Sequence, residues 1–99
     1  MNVTILGKDL TATEAIKDYV NKKMDRIEKY FGEDFDVQAT IKTEGKDQVA
    51  EMHVNTTNGV FRAVTGSKDL YASIDKNIDI VEGQIRKMKT KKDKQNMTE

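Results

Sequence analysis

The chain has 99 residues, 34% of them charged and 36% hydrophobic, and its 17 basic and 17 acidic side chains give a formal net charge of zero. That size fits one domain with a single two-layer core, and the absence of cysteine excludes a disulfide framework and thiolate chemistry. No apolar run approaches bilayer-spanning length and no charged-then-apolar leader opens the chain, so a cytoplasmic protein with no membrane partner is expected.

The first segment, Val3-Thr4-Ile5-Leu6 followed by Gly7, is β-rich and reads as a strand. Thr11 or Thr13 then offers a helix N-cap, and Thr11-x-x-Glu14 has capping-box spacing. Ile16, Tyr19, Val20, Met24, Ile27, Tyr30 and Phe31 recur every three or four residues, which predicts one amphipathic helix ending near Gly32.

Three strands follow. Val37, Ala39 and Ile41 alternate with polar residues up to a turn at Glu44-Gly45-Lys46-Asp47. Ala50, Met52 and Val54 alternate next, Asn58-Gly59 signals a hairpin, and Phe61, Ala63 and Thr65 continue on the same face. Period-two alternation throughout predicts a sheet covered on one side only. A second helix begins around Ser67 and Asp69 with the stripe Leu70, Tyr71, Ile74, Ile78, Val81, Ile85 and Met88, interrupted only by Gly83. Residues 1–92 are expected to form the domain and residues 93–99 a frayed tail.

The resulting class is α+β: a two-layer β-α-β-β-β-α fold with a four-stranded mixed sheet. A crossover after the first strand makes the first two strands parallel and puts the first helix on one sheet face. Because each strand supplies one apolar face, the second helix must cover that same face, side by side with the first.

Catalysis finds little support. His53 is the single histidine, so neither a His-based metal site nor a Ser/His/Asp constellation closes, and its phase against Met52 and Val54 places it on the open sheet face. Glu33, Asp34 and Asp36 lack the ligand spacing of a calcium loop, and no glycine-rich phosphate loop occurs. Asp75, Asp79 and Glu82 share one flank of the second helix and read as a solvated acidic edge, with Glu82 placed to pair with Arg86. No catalytic residue, metal, cofactor or small-molecule substrate is expected.

Basic residues are the informative class. Residues 84–94 carry six Lys/Arg against one Asp, or +5, while residues 1–83 carry 11 basic against 15 acidic side chains, or −4. Such asymmetry suits a polyanion-facing end. Lys17, Lys22, Lys23, Arg26 and Lys29 lie off the first helix's stripe, and Lys76, Arg86, Lys87, Lys89, Lys91 and Lys92 lie on the second helix. On adjacent helices these cations form a candidate groove for a phosphate backbone. The competing account is ordinary helix electrostatics: Asp18 with Lys22 and Asp25 with Lys29 have i,i+4 spacing, and lysine-rich helix ends complement the dipole.

Particular residues add what periodicity does not. The opening MNVTILGKDLTATEAIKDYVNKKMDRIEKYF, the stretch HVNTTNGVFRA and the run DLYASIDKNID from Asp69 to Asp79 together resemble the bacterial ribosome hibernation-promoting factor and ribosome-associated inhibitor (protein Y) family. The likeness covers roughly residues 1–92. It implies a module reminiscent of the double-stranded-RNA-binding fold, whose paired helices sit on the small ribosomal subunit's 16S-type RNA in the channel of messenger and transfer RNA. Inhibition is then by occlusion. The family's basic positions matched here are Lys17, Lys23 and Arg26, Lys42 on the second strand, and Lys87 and Lys89; phosphate contacts there lend affinity rather than sequence preference.

The chain departs from the family at Ile80 and Gly83, where relatives usually place cations, and at Asn77, where an apolar residue is common. The basic surface is thereby shifted toward the second helix's C-terminal end. The family also has a long form whose C-terminal domain pairs two ribosomes, so such a dimerisation domain belongs with this module if it is part of a long form. Two other readings stand beside this one. A general double-stranded RNA-binding module binds unrelated duplexes as well as ribosomes; a protein-interaction domain uses the open sheet face, where Val60 and Val64 flank Arg62, and self-associates at high salt.

Overall fold

A computed structural model describes the backbone of residues 1–98 and the side chains of residues 1–89. The elements are β1 (Asn2–Lys8), α1 (Glu14–Lys23), α2 (Asp25–Phe31), β2 (Phe35–Glu44), β3 (Asp47–Thr56), β4 (Gly59–Ser67) and α3 (Leu70–Thr98). The strands form one sheet in the order β1-β2-β3-β4, with β1 and β2 parallel and the other pairs antiparallel. This is the expected β-α-β-β-β-α architecture, and the α1–α2 segment is the crossover that a parallel pair requires. Among the described residues no helix is long and apolar enough to cross a membrane.

Three local features refine the sequence reading. β1 runs through Gly7, and a Cβ there would lie 1.9 Å from the Leu10 carbonyl oxygen, so the chain turns back at a distance only glycine allows. Thr13 is the N-cap of α1: its hydroxyl accepts from the Ile16 N–H at 3.3 Å. The first helix is not one segment. It tightens at buried Met24, whose N–H bonds the Asn21 carbonyl at 3.1 Å, three residues back, and then resumes as α2. The boundary expected after residue 92 falls within α3, whose backbone is helical to Thr98, while Glu99 and the side chains from residue 90 on lie outside the described residues.

The inner sheet face carries rows set by register, such as Val3–Val37–Val54–Phe61 and Ile5–Ala39–Met52–Ala63. Against them pack Ile16, Val20, Met24 and Ile27 from α1 and α2, and Leu70, Ile74, Ile78, Val81 and Ile85 from α3, all buried. Tyr71, expected in the core stripe, is instead 38% exposed: with Leu70 facing the sheet, the next residue lies about 100° round the helix. His53 lies on the open face and bonds Glu51 Oε1 through Nε2 at 2.9 Å. Val60 and Val64 are exposed there, in phase with Arg62.

Asn77 is completely buried where α3 crosses the sheet. Its amide donates to the Ala50 carbonyl at 2.9 Å, to the Ser73 carbonyl at 3.0 Å and to the Thr65 hydroxyl. Ser73 Oγ donates to the Gln48 carbonyl at 2.7 Å, so two consecutive helical turns are bonded to the backbone of β3. A buried polar pair that meets partners in this way fixes the translation of the helix along the sheet, which apolar contacts alone define poorly.

Two stability outcomes follow. Asn77→Asp presents a carboxylate to two backbone carbonyls, with only the Thr65 hydroxyl able to turn and donate, and should cost roughly 3–5 kcal/mol at neutral pH. The deficit against wild type, read from urea unfolding at each pH, should shrink as pH falls and the buried carboxyl protonates. At Gly83 a Cβ meets nothing within 4 Å, so Gly83→Ala should stabilise by about 1 kcal/mol in the same assay.

Candidate nucleic-acid interface

α1 and α2 run parallel to α3, so contacts advance in step along both. At one end the Tyr19 and Tyr71 rings meet edge to face, centroids 4.8 Å apart. Tyr19 donates its hydroxyl proton to Asp75 Oδ1 at 2.7 Å, and Lys23 Nζ lies 3.3 Å from the same oxygen. One turn on, Arg26 Nη2 bonds Asp79 Oδ1 at 2.7 Å and Arg26 Nε bonds Glu82 Oε1 at 2.8 Å. Glu82 Oε2 receives Lys29 Nζ at 2.9 Å and the Tyr30 hydroxyl at 3.0 Å. At the far end Lys89 Nζ sits 5.1 Å from the Phe31 ring centroid.

This ladder overturns the expectation of a solvated acidic flank at Glu82, while Asp75 and Asp79, 43% and 65% exposed, keep their contact with water. Glu82 has a side chain only 5% exposed and pairs across the groove with Arg26 and Lys29. It makes no ion pair with Arg86 among the described residues, because a single exposed i,i+4 partner offers much less than three donors converging on a desolvated carboxylate. Lys29 pairs with Glu82 instead of Asp25 for the same reason, and the expected Asp18–Lys22 pair is likewise not among the described ion pairs.

The electrostatics follow the contacts. Lys29, Arg26 and Tyr30 bonded to Glu82 hold its carboxyl down from the ordinary 4.5 to about 2, against the opposing effect of burial. The Tyr19 hydroxyl, aided by Lys23, lowers Asp75. Asp79, by contrast, faces water: its side chain is 65% exposed.

The ten sequence-nominated cations therefore divide. Lys23, Arg26 and Lys29 are brought together, but each is tied to a carboxylate of α3. Lys17 lies 3.9 Å from Glu14. Lys22, Arg86 and Lys87 are exposed without an acidic partner among the described residues, and Lys89 covers Phe31. Lys42 points to the sheet's other face, where its register partners are Lys8 and Val49, so it does not join the helix cations. The Lys91 side chain lies outside the described residues. Over Glu14–Phe31 and Leu70–Lys89 the helices carry nine Lys/Arg against seven Asp/Glu, so the cationic surplus comes from Arg86, Lys87 and Lys89 rather than from the groove.

The pairing of these cations with carboxylates of the other helix is what reading each helix by itself does not reveal. The available signal was a match of spacings: cations at 23, 26 and 29 against carboxylates at 75, 79 and 82, which interdigitate once the helices are parallel.

Comparison with known proteins agrees with this architecture. The model of the family described as sigma 54 modulation protein / S30EA ribosomal protein matches residues 3–93. A ribosome hibernation promotion factor of Deinococcus radiodurans is 34% identical over 95 residues, covering 90% of this chain and 49% of that protein. The chain thus spans about half the length of that relative. A ribosome hibernation promoting factor of Klebsiella oxytoca is 31% identical over 91 residues, covering 92% of this chain and 96% of that one. The crystal structure of the Thermus thermophilus protein Y N-terminal domain superposes with a TM-score of 0.82 at 34% identity, over 89% of this chain and 99% of the other.

The Glu82 site has a pH signature. A carboxyl depressed to about 2 when folded contributes stability that is complete above its unfolded value near 4.3 and is lost as pH drops toward 2. Glu82→Gln should therefore destabilise by about 2–3 kcal/mol at pH 7 and flatten the decline in the urea midpoint between pH 4.5 and 2. An unchanged acid limb in the variant would contradict this role.

Proposed function

Because the chain belongs to the sigma 54 modulation protein / S30EA ribosomal protein family, we propose that it is a non-enzymatic ribosome hibernation module. It binds the small ribosomal subunit through 16S-type RNA, in the channel of messenger and transfer RNA, and inhibits translation by occlusion. The supporting observation is that likeness to a ribosome hibernation promoting factor extends over 96% of that protein's length, so the relative has little beyond this module with which to act. Occlusion needs shape and charge, not bond making, and the chain carries a two-helix face with exposed cations at Lys22 and at Arg86 and Lys87.

Contact with RNA is assigned in two grades. Lys22, Arg86 and Lys87 meet phosphates first, since they are exposed and form no ion pair among the described residues. Lys23, Arg26 and Lys29 reach phosphate only by sharing or exchanging their partners on α3. Lys17 and Lys89 flank these positions, Lys91 extends the basic end, and Lys42 contributes only to RNA that wraps the open sheet face.

The test is ribosome pelleting across a salt series. Replacing Lys22, Arg86 and Lys87 together by Glu should leave the fold intact and reduce association steeply, with a log–log salt slope shallower by roughly 2 to 3. Arg26 is unsuited to this role, because Arg26→Glu would set carboxylate against buried Glu82 and confound binding with unfolding. Undiminished pelleting of the triple variant would refute the surface; equal wild-type affinity for unrelated duplex RNA would favour the general RNA-binding reading.

A further inference from the structure

Asp75, Asp79 and Glu82 line one groove but differ in how water reaches them. Glu82 is 5% exposed, while the Asp75 and Asp79 side chains are 43% and 65% exposed. The first is a packing anchor. The other two stand at the groove's mouth, each on a cation that a phosphate would otherwise take: Asp75 Oδ1 is 3.3 Å from Lys23 Nζ, and Asp79 Oδ1 is 2.7 Å from Arg26 Nη2. The second distance is that of an arginine–phosphate hydrogen bond, and an aspartate oxygen there is the chemical equivalent of a phosphate oxygen.

We infer that Asp75 and Asp79 are specificity-determining residues: intramolecular stand-ins for phosphate that hold Lys23 and Arg26 closed to generic polyanions. The inference rests on the ribosomal-RNA reading above. Its logic is that of binding by counterion release. A cation already neutralised by a carboxylate of its own chain has few counterions to release, so an arbitrary RNA gains little at that position and also meets the exposed negative charge. From Glu14 to Phe31 and from Leu70 to Gln84 the helices carry six Lys/Arg against seven Asp/Glu, so the groove offers a random duplex no net attraction. RNA whose folded surface reaches Lys22 together with Arg86 and Lys87 is not penalised in this way. Discrimination arises from repelling the wrong partner as much as from attracting the right one.

An opposite role for Asp79 is physically available: it could hold the Arg26 guanidinium in the orientation that phosphate needs. The two roles give opposite signs. The experiment compares wild type, Asp79→Asn and the Asp75→Asn/Asp79→Asn double variant for binding to purified small ribosomal subunits and to a short unrelated RNA duplex, each over a salt series. Asparagine keeps an oxygen for Arg26 while removing the charge, and Glu82 still bonds Arg26 Nε. Circular dichroism melts establish that the variants are folded.

The expected result is tighter duplex binding, by about fivefold for Asp79→Asn and more for the double variant, with a salt slope steeper by about 1 per carboxylate removed. Affinity for the subunit should rise much less, so the ratio of subunit to duplex affinity falls. Duplex binding that is unchanged or weaker overturns the inference in favour of a positioning role, and an equal gain on both targets overturns it as a specificity device. Each of those outcomes leaves subunit binding by wild type intact. Wild type that fails to bind subunits even at low salt refutes the ribosomal reading itself, and this inference with it.

Discussion

Across the seam between the two helices of this module, which their apolar stripes set side by side on the sheet, one buried carboxylate gathers the polar contacts. Glu82 leaves water almost completely and takes hydrogen bonds from Arg26, Lys29 and Tyr30, on successive turns of the neighbouring helix. Each donor alone would be worth little at a surface; together they satisfy the carboxylate's lone pairs, which is the condition under which a buried charge is tolerated. The parallel direction of the helices, the tightening at Met24 and the alignment of Tyr19 with Tyr71 are all compatible with that convergence.

This constraint also decides where positive charge is available. Cations drawn toward Glu82, Asp79 and Asp75 are spent within the molecule, and the surplus moves to Lys22 and to the Arg86–Lys89 turn. A neutral chain thus presents polarity along its long helix rather than a uniform basic wall. On the proposed reading a polyanion approaches in grades: the cations without an ion-pair partner would attract at a distance, and the groove would admit phosphate only where contact is close enough to compete with the aspartates. That reading places long-range attraction and short-range discrimination on different residues.

Beneath the helices, directed hydrogen bonds to the sheet fix register, although the buried Asn77 Oδ1 itself meets no partner. Asn77 and Ser73 bond the Ala50 and Gln48 carbonyls on β3, so α3 sits on the sheet at one translation, and the Asp75–Asp79–Glu82 edge is thereby aimed at α1 and α2. An apolar residue at position 77 would pack, but it would leave the helix freer to slide. The departures at Asn77 and Gly83 therefore differ in kind: the first does mechanical work, while Gly83 has open space around it and no contact that requires the absence of a side chain.

Fold and site were legible to different depths. Alternation along residues 37–65 and the stripes from Ile16 and Leu70 determined the strands, the helices, the one-sided sheet and the core, because period and burial are properties of a segment and its own neighbours. Asn58-Gly59 placed the hairpin and Asp69 the start of α3 for the same local reason. The sequence also named the cations of the candidate surface, and the separation of residues 84–94 from the rest in charge. What it left open was which of those cations are free. Lys29 had Asp25 within its own helix yet pairs with Glu82, and Glu82 had Arg86 yet pairs with Arg26 and Lys29; the choice rests on how deeply Glu82 is buried. Burial of a single side chain is fixed by the approach of two helices more than 50 residues apart in sequence, and so only the tertiary structure decided it.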